Sequence, residues 1–437
     1  MSRQRIAVIG GGWAGLAAAV HATQRGHAVT LFEASRQWGG RARAVSVNAP
    51  DGSAMVLDNG QHILIGAYRA TLDLMRTVGV EPERVLKRMP LSMQFPDGLG
   101  IRLPDWPMPL DVLAGVLGAV GWTLADKWSL VRATARWQRN GFRCAHGLRV
   151  TALCEGISAR AMQTLIEPLC VSALNTPADR ASAQVFLRVL KDALLGGKGS
   201  SNLLIPTGDL GALLPVAATR WLQNHGATLR LGQRVQLACP SGDWQVDGEA
   251  FDSVLCATSS SAACHLLANS QVEGSHAVQA WMDVAARLQY EAIATVYAQA
   301  GKVRLPQAML ALYSDAQEPA QFVFDRGQLG GPAGLLAFVV SASETERAEL
   351  EEKVLQQARR QLAPWLQGQA LKPLQTIVEK RATFACTPAL VRPPATIAPG
   401  LIACGDYVQG PYPATLEGAV QSGMAGSQAA CEGFASR

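Results

Sequence analysis

The stretch from Arg5 to Glu33 constrains the fold more than any other. Arg5-Ile6-Ala7-Val8-Ile9 runs into Gly10-Gly11-Gly12-Trp13-Ala14-Gly15, a helical run covers Leu16 to Arg25, and Ala28-Val29-Thr30-Leu31-Phe32-Glu33 follows. Four apolar residues in a row, closed by glycine, suit a strand buried on both faces of a parallel sheet. Gly10, Gly12 and Gly15 match G-x-G-x-x-G between a strand and a helix, the context in which that spacing carries meaning. The first glycine permits the tight turn, the second admits a pyrophosphate against bare backbone, and the third lets helix pack on strand. The helix N-terminus that follows Trp13 and Ala14 then offers unpaired N–H groups and a positive dipole end that favour phosphate. Glu33, 18 residues beyond Gly15 and followed by Ala34, ends the second strand where a carboxylate accepts hydrogen bonds from a ribose. These residues predict an α/β, Rossmann-type domain that holds a dinucleotide.

The fingerprint alone does not distinguish a nicotinamide from a flavin dinucleotide. Gly39-Gly40-Arg41-Ala42-Arg43, a short loop after Glu33, resembles the second glycine-arginine motif of the flavin amine oxidase and phytoene desaturase superfamily. There Gly40 lets the chain pass close under the cofactor, and Arg41 can neutralise the pyrophosphate bidentately. Taken alone, Arg41 reads as an exposed basic turn; with Glu33 at this distance, the pattern points to FAD.

A chain of 437 residues suggests about two to three domains. With 49% hydrophobic and 17% charged residues it is globular and not disordered. The net charge of +5 comes from dispersed Lys and Arg, which excludes a nucleic-acid footprint and is compatible with an anionic membrane surface. Nine cysteines, an odd number without a C-x-x-C pair, predict reduced thiols in a cytoplasmic protein, with neither a disulfide frame nor a metal site. No signal peptide is expected, because the chain enters its first strand by residue 5.

Ala44 to Val47 and Ala54 to Leu57 read as paired strands around Pro50-Asp51-Gly52, delivering Asp58-Asn59-Gly60-Gln61-His62-Ile63-Leu64-Ile65-Gly66. Tyr68 to Val78 is helix-like, and Leu91 to Leu103 reads as a hairpin around Pro96-Asp97-Gly98. Between Trp106 and Trp128 lies an uncharged run, Val112 to Ala125, too short for the ~20 residues that span a bilayer. It suits a buried helix, the wall of an apolar tunnel, or a helix dipping into one leaflet with an aromatic and basic rim. Lys127 to Arg143 is basic and amphipathic, and Thr151 to Gly196 is helical throughout.

From Leu203 the chain is expected to return to the first domain, with strands at Ala227–Leu231, Gln233–Leu237, Trp244–Val246 and Phe251–Ala257. Tyr290–Ala298, Ala308–Tyr313, Gln321–Phe324 and Gly334–Val340 alternate as antiparallel strands do, and Ser343 to Leu362 is a charged amphipathic helix. Gly400 to Cys404 reads as a buried strand, followed by Gly405-Asp406. A helix beginning near Thr415 and Leu416 points its N-terminus toward the cofactor.

The glycine fingerprint, the Asp58 to Gly66 stretch, and Gly405-Asp406 with Pro413 to Gly423 resemble the flavin amine oxidase superfamily. Within it the chain is most similar to the squalene-associated branch, the hydroxysqualene dehydroxylases. That similarity lies at Asp58-Asn59-Gly60-Gln61-His62, Leu174-Asn175-Thr176-Pro177, Ala181-Ser182-Ala183-Gln184 and the C-terminal run. Tyr407 departs from it, standing where the branch leads one to expect tryptophan. The resemblance implies that Gly60, Gln61 and His62 run along the flavin ring, that Asp406 sits by its ribityl chain, and that Val235 meets the adenine through its backbone. It implies a discontinuous FAD-binding domain (1–66, 203–267 and 398–437) and a substrate-binding domain (67–202 and 268–397). The implied reaction is reductive loss of an allylic hydroxyl from a C30 isoprenoid on the hopanoid route, drawing on an electron donor that the sequence does not identify. For the proton donor the candidates are His62, Gln61 and Asp58, with His62 preferred because imidazole titrates near neutral pH; read alone, His62 is more readily a structural histidine of core or surface. A carotenoid-type desaturase, another amine oxidase-like enzyme and a non-catalytic flavin carrier are the alternatives.

Overall fold

Ile6, Ala7 and Val8 are fully buried, and their strand, Arg5–Ile9, lies inside a six-stranded sheet. The structure is a computed structural model that describes residues 3–433 apart from 49–51, 108, 240–242, 271–275 and 344–345. The sheet runs Thr228–Leu231, Ala28–Glu33, Arg5–Ile9, Ser253–Cys256, Leu401–Ala403 and Thr396–Ala398. The first five strands are parallel, and the last is an antiparallel edge. Strand order leaves Arg5–Ile9 in both directions, so the crevice beyond Ile9 is a topological switch point, where open α/β sheets bind ligands. The helix Trp13–Gln24 covers the sheet and packs against the C-terminal helix Leu416–Gly433. Gly423 permits that approach, because a Cβ there would collide with the Ala14 carbonyl oxygen.

A second, five-stranded sheet is antiparallel throughout, in the order Met309–Ala311, Phe322–Asp325, Leu335–Ser341, Tyr290–Gln299 and Lys372–Phe384. Alternation anticipates four of these strands. The fifth escapes it because Glu379-Lys380-Arg381 interrupts the apolar beat, and its pairing with Tyr290–Gln299 carries two register shifts. The charged helix Arg347–Gln361 lays Leu350, Val354, Leu355 and Ala358 on one face of this sheet.

Other expectations are corrected by local chemistry. Leu203–Pro206, for which the sequence predicts no strand, pairs with Leu64–Ile65 and Leu86–Met89 in a small sheet of its own. Residues 233–236 are irregular, and only Leu237–Ala238 forms a strand there. The strands Ala44–Asn48 and Ala54–Asp58 pair as expected, but Pro50 and Asp51 of their turn lie outside the described residues. The uncharged run is two helices, not one. Leu110–Leu117 stops before Gly118, Gly121 turns the chain at φ 78°, and Thr123 with Asp126 forms a capping box that starts Leu124–Arg139.

The Asn175-Thr176-Pro177 stretch acts as a clamp between the helical block and the second sheet. Asn175 takes a left-handed conformation at the end of helix Glu167–Leu174. Its Nδ2 donates to Thr383 Oγ1 at 2.9 Å, and its Oδ1 accepts from the Ala342 amide at 2.8 Å. Thr176 Oγ1 accepts from the Cys386 amide at 2.9 Å, and Ser182 caps the next helix, Ala183–Leu195.

Tyr407 is fully buried, edge-on to Trp281 with ring centroids 6.4 Å apart, and its hydroxyl has no hydrogen-bond partner among the described residues. A desolvated hydroxyl without a partner costs stability, so Tyr407→Phe is expected to gain about 1 kcal/mol in urea unfolding. A loss of that size would show that the hydroxyl is satisfied in solution.

Candidate active site

A cavity of about 880 Å³ opens beyond the C-terminal ends of the parallel strands. Contacts among its lining residues order it. Val235 is a neighbour of Gln233, whose amide bonds the Glu33 carbonyl at 2.9 Å. No hydrogen bond joins the Val235 main chain to another described residue, so its amide and carbonyl remain for a ligand. The Glu33 carboxylate is locked by two backbone N–H groups, Gly11 on Oε2 and Ser35 on Oε1, both at 2.7 Å. It faces the cavity beside Ala34 as a fixed acceptor, suited to a ribose diol.

Gly10 turns the chain at φ 112°. Gly15 lies behind the wall, where a Cβ would strike the Gly10 carbonyl oxygen. Gly12 caps the helix without any side-chain hydrogen bond, so Trp13, Ala14 and their neighbours keep first-turn N–H groups for an anion. A Cβ on Gly12 would meet only Gly40 Cα, at 3.9 Å, and the Gly39 amide bonds the Gly11 carbonyl at 2.8 Å, so two bare backbones lie against each other at the cavity wall. Arg41 closes this region: one guanidinium nitrogen donates to the Ala382 carbonyl at 2.6 Å and another to Asp406 Oδ1 at 2.6 Å. An uncapped helix end, a guanidinium and bare glycine backbone along the cavity wall fit a diphosphate; with the locked Glu33 they fit FAD.

Gly405, Asp406, Thr415 and Leu416 line the same cavity. Arg392 fixes their loop by donating to the carbonyls of Tyr412 at 2.8 Å and Asp406 at 3.2 Å, and also to that of Gly410. Thr415 Oγ1 accepts from the Gly418 amide at 3.0 Å, which caps the C-terminal helix and aims its first turn at the cavity.

Gly60, Gln61 and His62 form the opposing wall. His62 Nδ1 donates to the Gly60 carbonyl at 2.8 Å, leaving Nε2 for a ligand or substrate. Burial, with the Arg41 charge adding to it, holds the imidazole below its usual pKa against the opposing pull of that hydrogen bond. Gln61 is positioned by Arg326, a buried cation that donates to Gln61 Oε1 at 3.2 Å and to the Gly208 carbonyl at 3.3 Å. Asp58 does not line the cavity. Its Oδ1 accepts from the Leu210 amide at 2.7 Å, its Oδ2 lies 4.0 Å from Arg326, and burial raises its pKa to about 6.

A second cavity of about 180 Å³ is almost wholly apolar, walled by Leu91, Met93, Ile101, Val116, Trp137 and Leu165 among others. It shares Ile63, Tyr68, Ser172, Ala173 and Thr415 with the first, so the two meet there. Its polar groups are already engaged: Tyr412 donates to Asp192 at 2.7 Å, and Glu417 accepts from the amides of Ala70 and Thr71 at 3.1 and 2.9 Å. Glu417 thereby caps helix Arg69–Thr77 and sets the residue before it, Tyr68, at the junction.

Sequence reading missed Tyr68, Arg326 and Arg392. Tyr68 lies two residues past Gly66, near enough for the Gly60–Gly66 stretch to have drawn attention to it. Nothing local marks the two arginines: Arg326 meets Gln61, Asp58 and the Gly208 carbonyl far along the chain, and Arg392 meets backbone carbonyls of a later loop. Among the described residues there is no group of His, Cys, Asp and Glu that could hold a metal ion, and no helix long and apolar enough to cross a membrane.

A dinucleotide crevice at the switch point, joined to an apolar cavity, defines an FAD-dependent oxidoreductase. The chain belongs to the family of flavin containing amine oxidoreductases, whose model matches residues 13–431. It is 28% identical to the hydroxysqualene dehydroxylase of Rhodopseudomonas palustris, over 95% of this chain and 96% of that one. It is 26% identical to the hydroxysqualene dehydroxylase of Sinorhizobium fredii, over 96% of each. An oxidoreductase from Methanosarcina mazei shares the fold with a TM-score of 0.71 at 17% identity, over 96% of this chain and 99% of that one.

Gly12→Val is expected to abolish FAD binding while far-UV circular dichroism is kept, because the added side chain meets the diphosphate space and almost no protein. A yellow Gly12→Val protein with full flavin content would refute the placement.

Proposed function

We propose that the chain removes the allylic hydroxyl of hydroxysqualene and replaces it with hydrogen, yielding squalene for hopanoid synthesis. The observation that carries this reading is the apolar cavity meeting the cofactor cavity at Ile63, Tyr68, Ala173 and Thr415. The full-length similarity to hydroxysqualene dehydroxylases supports it. In this reading residues 1–66, 203–267 and 398–437 bind FAD, and 67–202 and 268–397 bind substrate.

The balance is an alcohol, a hydride and a proton giving a hydrocarbon and water. Reduced FAD, when bound, supplies the hydride. The protein's part is to exclude water, orient the chain and move the proton. Hydroxide is a poor leaving group and an apolar cavity penalises charge, so departure needs an acid within reach. His62 offers Nε2 for this, with Nδ1 anchored on Gly60. Gln61, held by Arg326, can orient the hydroxyl. Asp58 acts on this wall from behind, through the same arginine.

Only protonated His62 can donate, and its pKa lies below the usual 6.5. The acid form is therefore full at low pH and is lost as pH rises through that lowered value. Single-turnover oxidation of the bound, reduced flavin by hydroxysqualene should slow as pH rises from 5 to 8. His62→Ala should cut the rate by about 100-fold and remove this pH dependence, with FAD content intact. A variant at the wild-type rate would remove His62 from the mechanism. The function itself is tested by anaerobic incubation of the reduced protein with hydroxysqualene and with phytoene: squalene should form and phytoene should stay unchanged. Desaturation of phytoene by the oxidised protein would replace this reading with a carotenoid-type desaturase.

A further inference from the structure

Seven of the twelve large hydrophobic side chains exposed among the described residues fall between Trp106 and Trp128. Contiguous apolar exposure on this scale marks an interaction face. Helix Leu110–Leu117 carries apolar side chains on both sides, with one charged residue, Asp111, buried. Leu110, Leu113 and Leu117 are 54%, 49% and 59% exposed, while Val112 and Val116 line the second cavity. A wall one helix thick thus separates that cavity from the outside.

The next helix, Leu124–Arg139, changes character along its outer face. Leu124 and Trp128 are 83% and 62% exposed; Arg132, Arg136 and Arg139 then follow on that face, all exposed. At 1.5 Å per residue the cations stand roughly 6 to 16 Å beyond Trp128. Asp126, the acid of this helix, is committed to the Thr123 cap, and Lys127 Nζ donates to the Leu117 carbonyl at 2.6 Å, tying the two helices together. An apolar tip with indoles at its border and guanidinium groups behind it matches the depth profile of one leaflet with anionic headgroups.

We propose that Trp106 to Arg139 docks the protein on an anionic bilayer, with helix Leu110–Leu117 in the interface and the second cavity directly behind it. A second copy of the chain fits this face less well, since a two-fold contact through it would bring the arginine rows of both copies together. The proposal rests on the surface and not on the reaction. It gives the apolar cavity a route to lipid that avoids water.

Flotation of the FAD-loaded protein with vesicles is the test, using phosphatidylcholine alone or mixed with phosphatidylglycerol. The wild type should float with the mixed vesicles, and less so at high salt. Leu113→Glu with Leu117→Glu should leave the protein in solution, with its flavin spectrum showing that it is folded. Arg132→Glu with Arg139→Glu should lower binding to the anionic vesicles on the order of tenfold and erase the preference for them. The proposal is overturned if the wild type stays in solution with the mixed vesicles, or if the Leu113→Glu, Leu117→Glu variant floats as well as the wild type. It is also overturned if light scattering finds a dimer that the leucine substitutions split, which would make the face a subunit contact.

Discussion

The two ends of the chain must meet, and the site exists only where they do. Arg41, from the first quarter, donates to Asp406, near the C-terminus, at 2.6 Å with the carboxylate largely buried. Around this pair the backbones approach closely: Gly15 on the Gly10 carbonyl, Gly423 on Ala14, and Gly12 facing Gly40. A pair with one partner buried contributes through what it positions more than through its own free energy, because desolvation offsets most of the Coulomb attraction. Here it sets a guanidinium in the cavity wall beside an uncapped helix.

From that meeting point the rest of the architecture follows. The parallel sheet ends its strands at the crevice, and the antiparallel sheet supports the opposite wall through Thr295, Tyr297 and Arg326, which hold the Asp58 to His62 segment in place. The C-terminal helix serves both cavities at once: Thr415 lies in their shared wall, and Glu417 caps the helix that follows Tyr68. On the proposed function, the chemistry belongs to the place where the cofactor cavity and the apolar chamber share a wall.

How much of this could be read from sequence depends on the distance over which each cause acts. The fingerprint strand, turn, helix and acid are local, and the strand, helix and second strand form at the parallel sheet as expected. The second sheet was legible where alternation is clean and not at Lys372–Phe384, where three charges interrupt it. The placement of Asp58 behind the wall was not legible, because it depends on Leu210 and Arg326, far along the chain. Asn175 and Thr176 stand out as a motif, yet only the structure shows that they clamp helix to sheet through Thr383, Ala342 and Cys386.

The central claim is that an apolar chain reaches the cofactor through the junction of the two cavities. Ala173, on helix Glu167–Leu174, lines both cavities with a small side chain. The direct measurement is single-turnover oxidation of bound, reduced flavin by hydroxysqualene in Ala173→Trp. FAD content should match the wild type while the reaction with substrate is lost; oxidation at the wild-type rate would contradict the claim.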